Sequence, residues 1–311
     1  MAKKLLILSD CGERVPEFDP AFEVTALPVD AAAEDRLSAI EAAEIIIGEP
    51  SIKELQSAKN LRWLQMTWAG ADRYLKGGFP KNVILTNASG AFGATIAEHA
   101  LAMVFALARR LPAYVRAGEW KDIGSEKQLR DCTALIYGCG DIGTHIAKSL
   151  KALQIRTVGV CRNPKTARDG FDVLTTLDCA ELFFPEADLI LCALPQSKET
   201  AGYFDEARLS ALKDDAILVN VGRGSLIRTD ALTALLQKGK FFGVGLDVVE
   251  QEPLPEEHPL WTMPNVILTP HVAGTGFGHL ADTEDRIWQI CKDNLRRYLA
   301  GKPLRNQVNV P

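Results

Sequence analysis

The chain lacks paired cysteines at CxxC or metal-ligand spacing. Its seven cysteines (Cys11, Cys132, Cys139, Cys161, Cys179, Cys192 and Cys291) are scattered, mostly in or beside apolar runs. They read as reduced thiols in a cytosolic protein, several of them buried, with no metal site among them. An excess of positive charge is also missing: 35 Lys and Arg stand against 40 Asp and Glu. The net charge of −5 leaves no basic footprint for nucleic acid. Long apolar runs are absent too. The longest on a helix, Ala100–Ala108, has nine residues, too few to cross a bilayer. The opening MAKKLLILSD has lysines before an apolar stretch, but that stretch is four residues long and Asp10 ends it. It reads as a first strand rather than a signal peptide. Repeats and low-complexity segments are missing as well. At 311 residues the chain suits two domains with sizeable cores.

What is present is one organising stretch, Thr133 to Thr166, TALIYGCGDIGTHIAKSLKALQIRTVGVCRNPKT. Its apolar start, Ala134–Tyr137, reads as a buried strand. Gly138, Gly140 and Gly143 follow in GxGxxG spacing, and Ile142, Ile146, Leu150 and Leu153 recur at helical period. A second apolar strand, Val158–Val160, ends at Cys161-Arg162-Asn163. Strand, glycine turn, helix and strand make a mononucleotide-binding unit. Gly138 allows the tight turn, Gly140 lets the backbone approach a pyrophosphate, and Gly143 lets helix and strand pack closely. Amides at the helix start then face the phosphates with the positive end of the dipole.

The tip of that second strand discriminates between cofactors. An NAD-specific unit places Asp or Glu there to accept from the ribose 2′-hydroxyl. This chain has Arg162, Asn163, Pro164 and Lys165, with no carboxylate near. A guanidinium pairs bidentately with a 2′-phosphate, and Lys165 adds charge. The pattern predicts NADP(H) over NAD(H), with a solvated surface arginine as the alternative.

Residues 1–88 carry their own strand signals at Leu5–Leu8, Phe22–Val24, Ile45–Ile47, Leu61–Met66 and Val83–Leu85. Stretches of helical composition separate several of them, as in a small parallel α/β domain. Ala69-Gly70-Ala71 follows the fourth strand and Asn87-Ala88-Ser89-Gly90 the fifth. Carboxyl ends of strands are where open sheets bind ligands, and small residues there expose amides that can hold a carboxylate. Plain tight turns are the equal alternative. Residues 94–110 form an almost wholly apolar helix, expected between the two domains. His99 on it reads as a satisfied core histidine. Leu111–Trp120, with Pro112 and Tyr114 among charges, reads as cover for a partner subunit.

Residues 133–271 hold six strand candidates: the two above, then Ala187–Ala193, Ala216–Asn220, Phe241–Val248 and Val266–Thr269. Amphipathic stretches at Asp205–Leu212 and Thr229–Lys238 separate later ones. Leu280–Ala300 reads as a helix returning to the first domain, stopped by Gly301 and Pro303. The expected fold is α/β. A Rossmann-type doubly wound parallel sheet forms the cofactor domain, 89–274. A smaller flavodoxin-like substrate domain comprises 1–88, completed by 275–311.

Three ionisable residues lie beyond the carboxyl ends of successive strands: Arg223, Glu252 and His271. Hydride delivery to a ketone needs a proton donor for the forming alkoxide, which suits a histidine. A carboxylate orients the imidazole, and Glu252 fits that place, although Glu250, Glu256 and Glu257 share its loop. A planar guanidinium fixes the carboxylate and carbonyl of an α-keto acid. Asp247 ends its strand facing the same crevice, placed for a nicotinamide carboxamide.

The runs Gly138–Gly143, Asn220-Val221-Gly222-Arg223-Gly224, Gly245–Pro253 and Thr269–Gly274 resemble those of the D-isomer-specific 2-hydroxyacid dehydrogenase family. So do Leu194-Pro195 with Glu199-Thr200, and Ala97-Glu98-His99. The similarity covers essentially the whole chain, in the family's order and spacing. It implies Arg223 as substrate binder, His271 as acid/base and Glu252 as its partner. It implies cofactor contacts at Gly138, Gly140, Asp141, Ile142, Gly143, Arg162, Asn163, Leu194, Pro195, Thr200, Val221, Gly222, Asp247 and Gly274. Ala69, Gly70, Ser89 and Gly90, with Arg223 and His271, would meet the substrate. It further implies a homodimer joined through the cofactor domains. Arg162 departs from the Asp of many members. Gly222 replaces the commoner Ala or Ser, which implies a slightly looser backbone before Arg223. The chain lacks the long C-terminal extension of the regulated 3-phosphoglycerate dehydrogenases, and the Arg-type tip is that of glyoxylate and hydroxypyruvate reductases. Small 2-keto acids are therefore the expected substrates. A phosphite- or formate-type dehydrogenase is the alternative enzyme, and Glu252 opposes the formate version, which pairs its histidine with Gln. A dinucleotide-sensing corepressor on the same scaffold is the alternative outside enzymes.

Overall fold

The structure, a computed structural model, describes residues 2–9 and 15–310; Asp10 and Cys11 lie outside them. It divides into two compact units, Met1–Phe92 with Thr275–Pro311, and Gly93–Gly274.

In the first unit the chain runs β1 (Lys3–Leu8), β2 (Phe22–Leu27), α1 (Ala33–Ala42), β3 (Ile45–Gly48), α2 (Ile52–Leu55), β4 (Trp63–Gln65), α3 (Asp72–Leu75) and β5 (Ile84–Thr86). All strands are parallel in the order β2-β1-β3-β4-β5, the doubly wound arrangement of the flavodoxin type. The uninterrupted apolar runs Leu5–Leu8 and Ile45–Ile47 become the central strands, buried on both faces. Strand order reverses between β1 and β3, beyond Leu8 and Gly48, the kind of position at which open α/β sheets take ligands.

The second unit begins with α4 (Gly93–Ala108) and α5 (Leu111–Ala117). It continues β6 (Thr133–Tyr137), α6 (Asp141–Ala152), β7 (Arg156–Val160), β8 (Val173–Thr175), β9 (Leu189–Cys192), α7 (Glu206–Ala211), β10 (Ile217–Asn220), α8 (Thr229–Gln237), β11 (Gly243–Leu246) and β12 (Val266–Leu268). The sheet is parallel throughout, in the order β12-β11-β10-β9-β6-β7-β8. Counted from β6, this is the Rossmann order with a seventh strand, and its switch point lies between β6 and β9. The sequence predicts six strands; the structure adds β8, paired to β7 at the sheet edge. Three residues, two of them only half-buried and the third a threonine, make too short an apolar run to stand out. The apolar helix α4 packs on α6 and against β10 and β11. Its alanines at 97, 100 and 108 are buried, which permits close approach.

The chain ends with α9 (Ala281–Leu299), back in the first unit. Its first turn carries Asp282 and Glu284 and its last Arg296 and Arg297, matching the helix dipole. Asn294 donates to Gln65 at 2.9 Å, and the Tyr298 ring stacks on Trp63 with centroids 5.4 Å apart. Past the helix, the Val308 amide donates to the Leu85 carbonyl at 2.9 Å, so the tail closes the β5 edge. Among the described residues no helix is long and apolar enough to cross a membrane.

Candidate active site

The glycine turn caps the switch point of the larger sheet. Gly138 takes φ +102° and donates to the Val160 carbonyl at 3.0 Å. A Cβ on Gly143 would lie 1.8 Å from the Gly138 carbonyl oxygen, so helix α6 can sit on β6 only with glycine there. Gly140 differs: a Cβ there would meet nothing within 4 Å. The protein's own atoms do not require that residue to be bare, and the space it leaves is open. Asp141 and Ile142 open α6, both partly buried.

Beyond β7, Arg162, Asn163 and Lys165 are exposed, and the Asn163 side chain accepts from the Lys165 amide at 3.2 Å. A further cation joins them that sequence reasoning passed over. Arg168 donates to the Cys139 carbonyl inside the glycine turn at 2.7 Å. Sequence distance hid it, because 29 residues separate the pair.

Across the switch point, the loop after β9 carries Leu194 and Pro195. Thr200 ties this loop, its hydroxyl donating to the Pro195 carbonyl at 3.1 Å and accepting from the Ser197 amide at 2.9 Å. Gly222 lies against Leu194, whose carbonyl oxygen would be 2.7 Å from a Cβ. A side chain at 222 would therefore have to displace the Leu194 backbone, which gives the glycine a packing reason. Asn220, fully buried at the end of β10, accepts from the Gly222 amide at 3.1 Å and donates to the Arg223 carbonyl at 3.0 Å. The turn through Val221 that presents Arg223 is thereby pinned from within. Arg223 donates to the Gly222 carbonyl at 2.9 Å.

His271 and Glu252 come together, with Nδ1 2.9 Å from Oε2. Of the acids in that loop, Glu250 is engaged elsewhere, on Arg228 at 2.7 Å, and Glu256 and Glu257 are exposed. His271 has φ +57°, a left-handed conformation that costs a non-glycine residue roughly 1–2 kcal/mol. Asp247 holds it there. The Asp247 carbonyl accepts from the His271 amide at 2.8 Å. Its carboxylate, 3% exposed, accepts from Thr269 Oγ1 at 2.6 Å, the Val272 amide at 2.9 Å and the Ala273 amide at 3.1 Å. Gly274 follows directly. From sequence His99 reads as a satisfied core histidine. It is satisfied, but by this network: Nε2 lies 3.1 Å from Thr269 Oγ1, whose proton goes to Asp247.

In the first unit the loops after β4 and β5 form one frame. Asn87 Nδ2 donates to the Ala69 carbonyl at 2.7 Å, and the Ala88 amide donates to the Trp68 carbonyl at 3.0 Å. The Ser89 amide donates to Asn87 Oδ1 at 3.1 Å, and Asn306 donates to the Ser89 carbonyl at 2.7 Å. Ala69, Gly70, Ser89 and Gly90 are thus neighbours. A cavity of about 320 Å³ adjoins them, lined by Leu8, Glu49, Thr67, Trp68, Phe92 and Phe277 among others. Trp68 and Phe277 line it, while Tyr74 and Trp288 are buried. Among the described residues no group of three or more His, Cys, Asp and Glu is placed to hold a metal ion.

Residues 101–273 match the family model described as D-isomer specific 2-hydroxyacid dehydrogenase, NAD binding domain. A glyoxylate reductase of Korarchaeum cryptofilum is 30% identical over 289 residues, covering 88% of this chain and 84% of that one. The crystal structure of a D-isomer specific 2-hydroxyacid dehydrogenase family protein from Aeromonas salmonicida superposes with a TM-score of 0.88 at 33% identity, covering 99% of both chains. A D-isomer specific 2-hydroxyacid dehydrogenase from Xanthobacter autotrophicus, solved with NADPH and MES, gives a TM-score of 0.80 at 26% identity, covering 99% of this chain and 98% of that one. With its glycine turn, its two parallel sheets and a family match across more than half its length, the chain belongs to the D-isomer specific 2-hydroxyacid dehydrogenases, a family of oxidoreductases.

Proposed function

We propose that the protein transfers hydride between NADP(H) and a small 2-keto or D-2-hydroxy acid, acting as a reductase of glyoxylate or hydroxypyruvate. The observation that carries this reading is the imidazole–carboxylate pair, 2.9 Å apart on a turn locked by Asp247. Glu252 occupies Nδ1 of His271 and sets its orientation, leaving Nε2 to give a proton to the ketone oxygen. The guanidinium of Arg223, presented by the Asn220 turn, holds the acid's carboxylate and carbonyl. The backbone around Ala69, Gly70, Ser89 and Gly90 completes the carboxylate's cradle.

The glycine turn fits a dinucleotide: Gly140 leaves open space where a pyrophosphate would approach, at the amino end of α6. When bound, the nicotinamide cofactor supplies the hydride. Arg162, with Lys165 and Arg168, gives the tip a positive face suited to a 2′-phosphate. The NADPH bound by the Xanthobacter relative supports that preference, and the Korarchaeum relative's name supports the substrate. Helix α5 buries none of its residues and exposes Leu111 and Val115, which supports a homodimer joined over this face.

The test is a panel of glyoxylate, hydroxypyruvate, pyruvate and bulkier keto acids, assayed with both cofactors on wild type and His271→Asn. Asparagine tolerates the left-handed backbone, so the turn keeps its shape. Turnover should fall by about 10²–10⁴-fold with NADPH affinity nearly unchanged. Retained turnover would refute the role of His271.

A further inference from the structure

Among the ionisable groups that line the cavity of the first unit, Glu49 is the one bonded to the loop after β4. Glu49 follows β3 at the point where strand order reverses, and its side chain crosses to the loop after β4. Its Oε1 accepts from the Thr67 amide at 2.7 Å and the Trp68 amide at 3.2 Å. The Thr67 hydroxyl stands 3.0 Å from both carboxyl oxygens. From the other side Asn87 holds the Ala69 carbonyl. The stretch Thr67–Gly70 is therefore clamped between two side chains, Glu49 and Asn87.

We propose that Glu49 is a positioning residue: its carboxyl holds the Thr67–Gly70 turn in either charge state, and its charge sets how tightly that turn takes the keto acid's carboxylate. This rests on the reading of the turn as part of the substrate cradle. The geometry permits both states. Ionised, the carboxylate accepts all of the donors. Protonated on Oε2, it donates to Thr67 Oγ1, while Oε1 still accepts both amides. What changes is a negative charge beside a site for an anion.

Burial pushes the Glu49 carboxyl up to about 7, against the lowering effect of the Thr67 and Trp68 donors. Its charged surroundings come from several elements. Arg73 on α3 donates to the Glu49 carbonyl at 3.2 Å, and Arg36 on α1 lines the cavity already paired with Glu54. Tyr74 donates to the neighbouring Pro50 carbonyl, Cys291 on α9 feels the Glu49 charge, and His279 lines the rim. None of these places a second carboxylate on the turn.

Glu49→Gln reproduces the neutral state, its amide donating to Thr67 Oγ1 as the acid does, whereas Glu49→Ala removes the clamp. The experiment compares KM and kcat for the best keto acid from pH 6 to 8.5 in wild type and both variants. Groups other than residue 49 are common to all three proteins, so the readout is the difference between profiles. Wild-type KM should rise about 10-fold relative to Glu49→Gln across this range, as a charge appears near the anion. Glu49→Ala should raise KM at every pH with kcat nearly unchanged, and should speed amide hydrogen exchange across 67–70, which Glu49→Gln should not. Parallel profiles for wild type and Glu49→Gln, or unchanged KM and exchange in Glu49→Ala, would overturn the proposal. If wild type reduces no keto acid, the functional reading fails on its own. Oxalate titrated by calorimetry then decides the role of Glu49: no binding, or equal affinity of wild type and Glu49→Gln at pH 8, overturns it.

Discussion

Each unit carries a turn beyond the strand ends of a parallel sheet, one after β6 at the switch point and one after β4 a strand away from it, and the two are built by opposite means. The turn after β6 is shaped by what is missing. Its glycines let Gly138 adopt φ +102° and let α6 press onto the Gly138 carbonyl, with Gly140 left bare over open space. The turn after β4 is shaped by what reaches it: Glu49 from the end of β3 and Asn87 from the end of β5. The first is written in consecutive residues, with Arg168 adding one contact from a distance. The second is only as firm as two distant side chains make it, and one of them, Glu49, can change its charge.

That contrast can be pressed from both sides. The largest effect is expected at Gly140→Val. A branched side chain in the open space should raise the KM for NADPH by ~100-fold, about 2.7 kcal/mol of lost binding, with the thermal midpoint almost unmoved. A large fall in stability would show that the space belongs to the fold rather than to a ligand. Next comes Glu49→Gln, read as stability rather than activity. The carboxyl titrates near its usual 4.5 when unfolded and at about 7 when folded, so the folded state keeps a proton that the unfolded state has lost. Wild-type stability therefore declines as pH rises from about 4.5 to 7 and stays lower above it. At pH 8 the glutamine variant should be more stable by on the order of 2–3 kcal/mol, an advantage that vanishes by pH 4 in denaturant titrations. Equal stability at both pH values would place Glu49 outside the protected interior. The smallest effect is expected at the tip of β7. Arg162→Ala should shrink the NADPH-to-NADH ratio of kcat/KM by about 10-fold, because Lys165 and Arg168 keep part of the positive face.

The same contrast explains how much was legible in the sequence. The glycine turn, the buried strands and the order of Arg223, Glu252 and His271 beyond successive strand ends all follow from local pattern. Neighbouring residues dictate them through steric and periodic rules. What escaped has partners far along the chain or too few residues. His99 meets Thr269 across 170 positions. Arg168 reaches back into the glycine turn. Glu49 sits between Gly48 and Pro50, where an acid looks like ordinary punctuation. Strand β8 is three residues at an edge, and the packing reason for Gly222 is hidden because Leu194 is not its neighbour in sequence.

The left-handed backbone at His271 also carries a liability. The imidazole faces Glu252 only while Asp247 keeps the chain in a conformation it would not choose alone. Damage at Asp247 would remove no reacting group and need not melt the sheet, yet the ring would swing off its partner. A folded and silent enzyme is the phenotype to look for among inactive variants that map away from the imidazole itself.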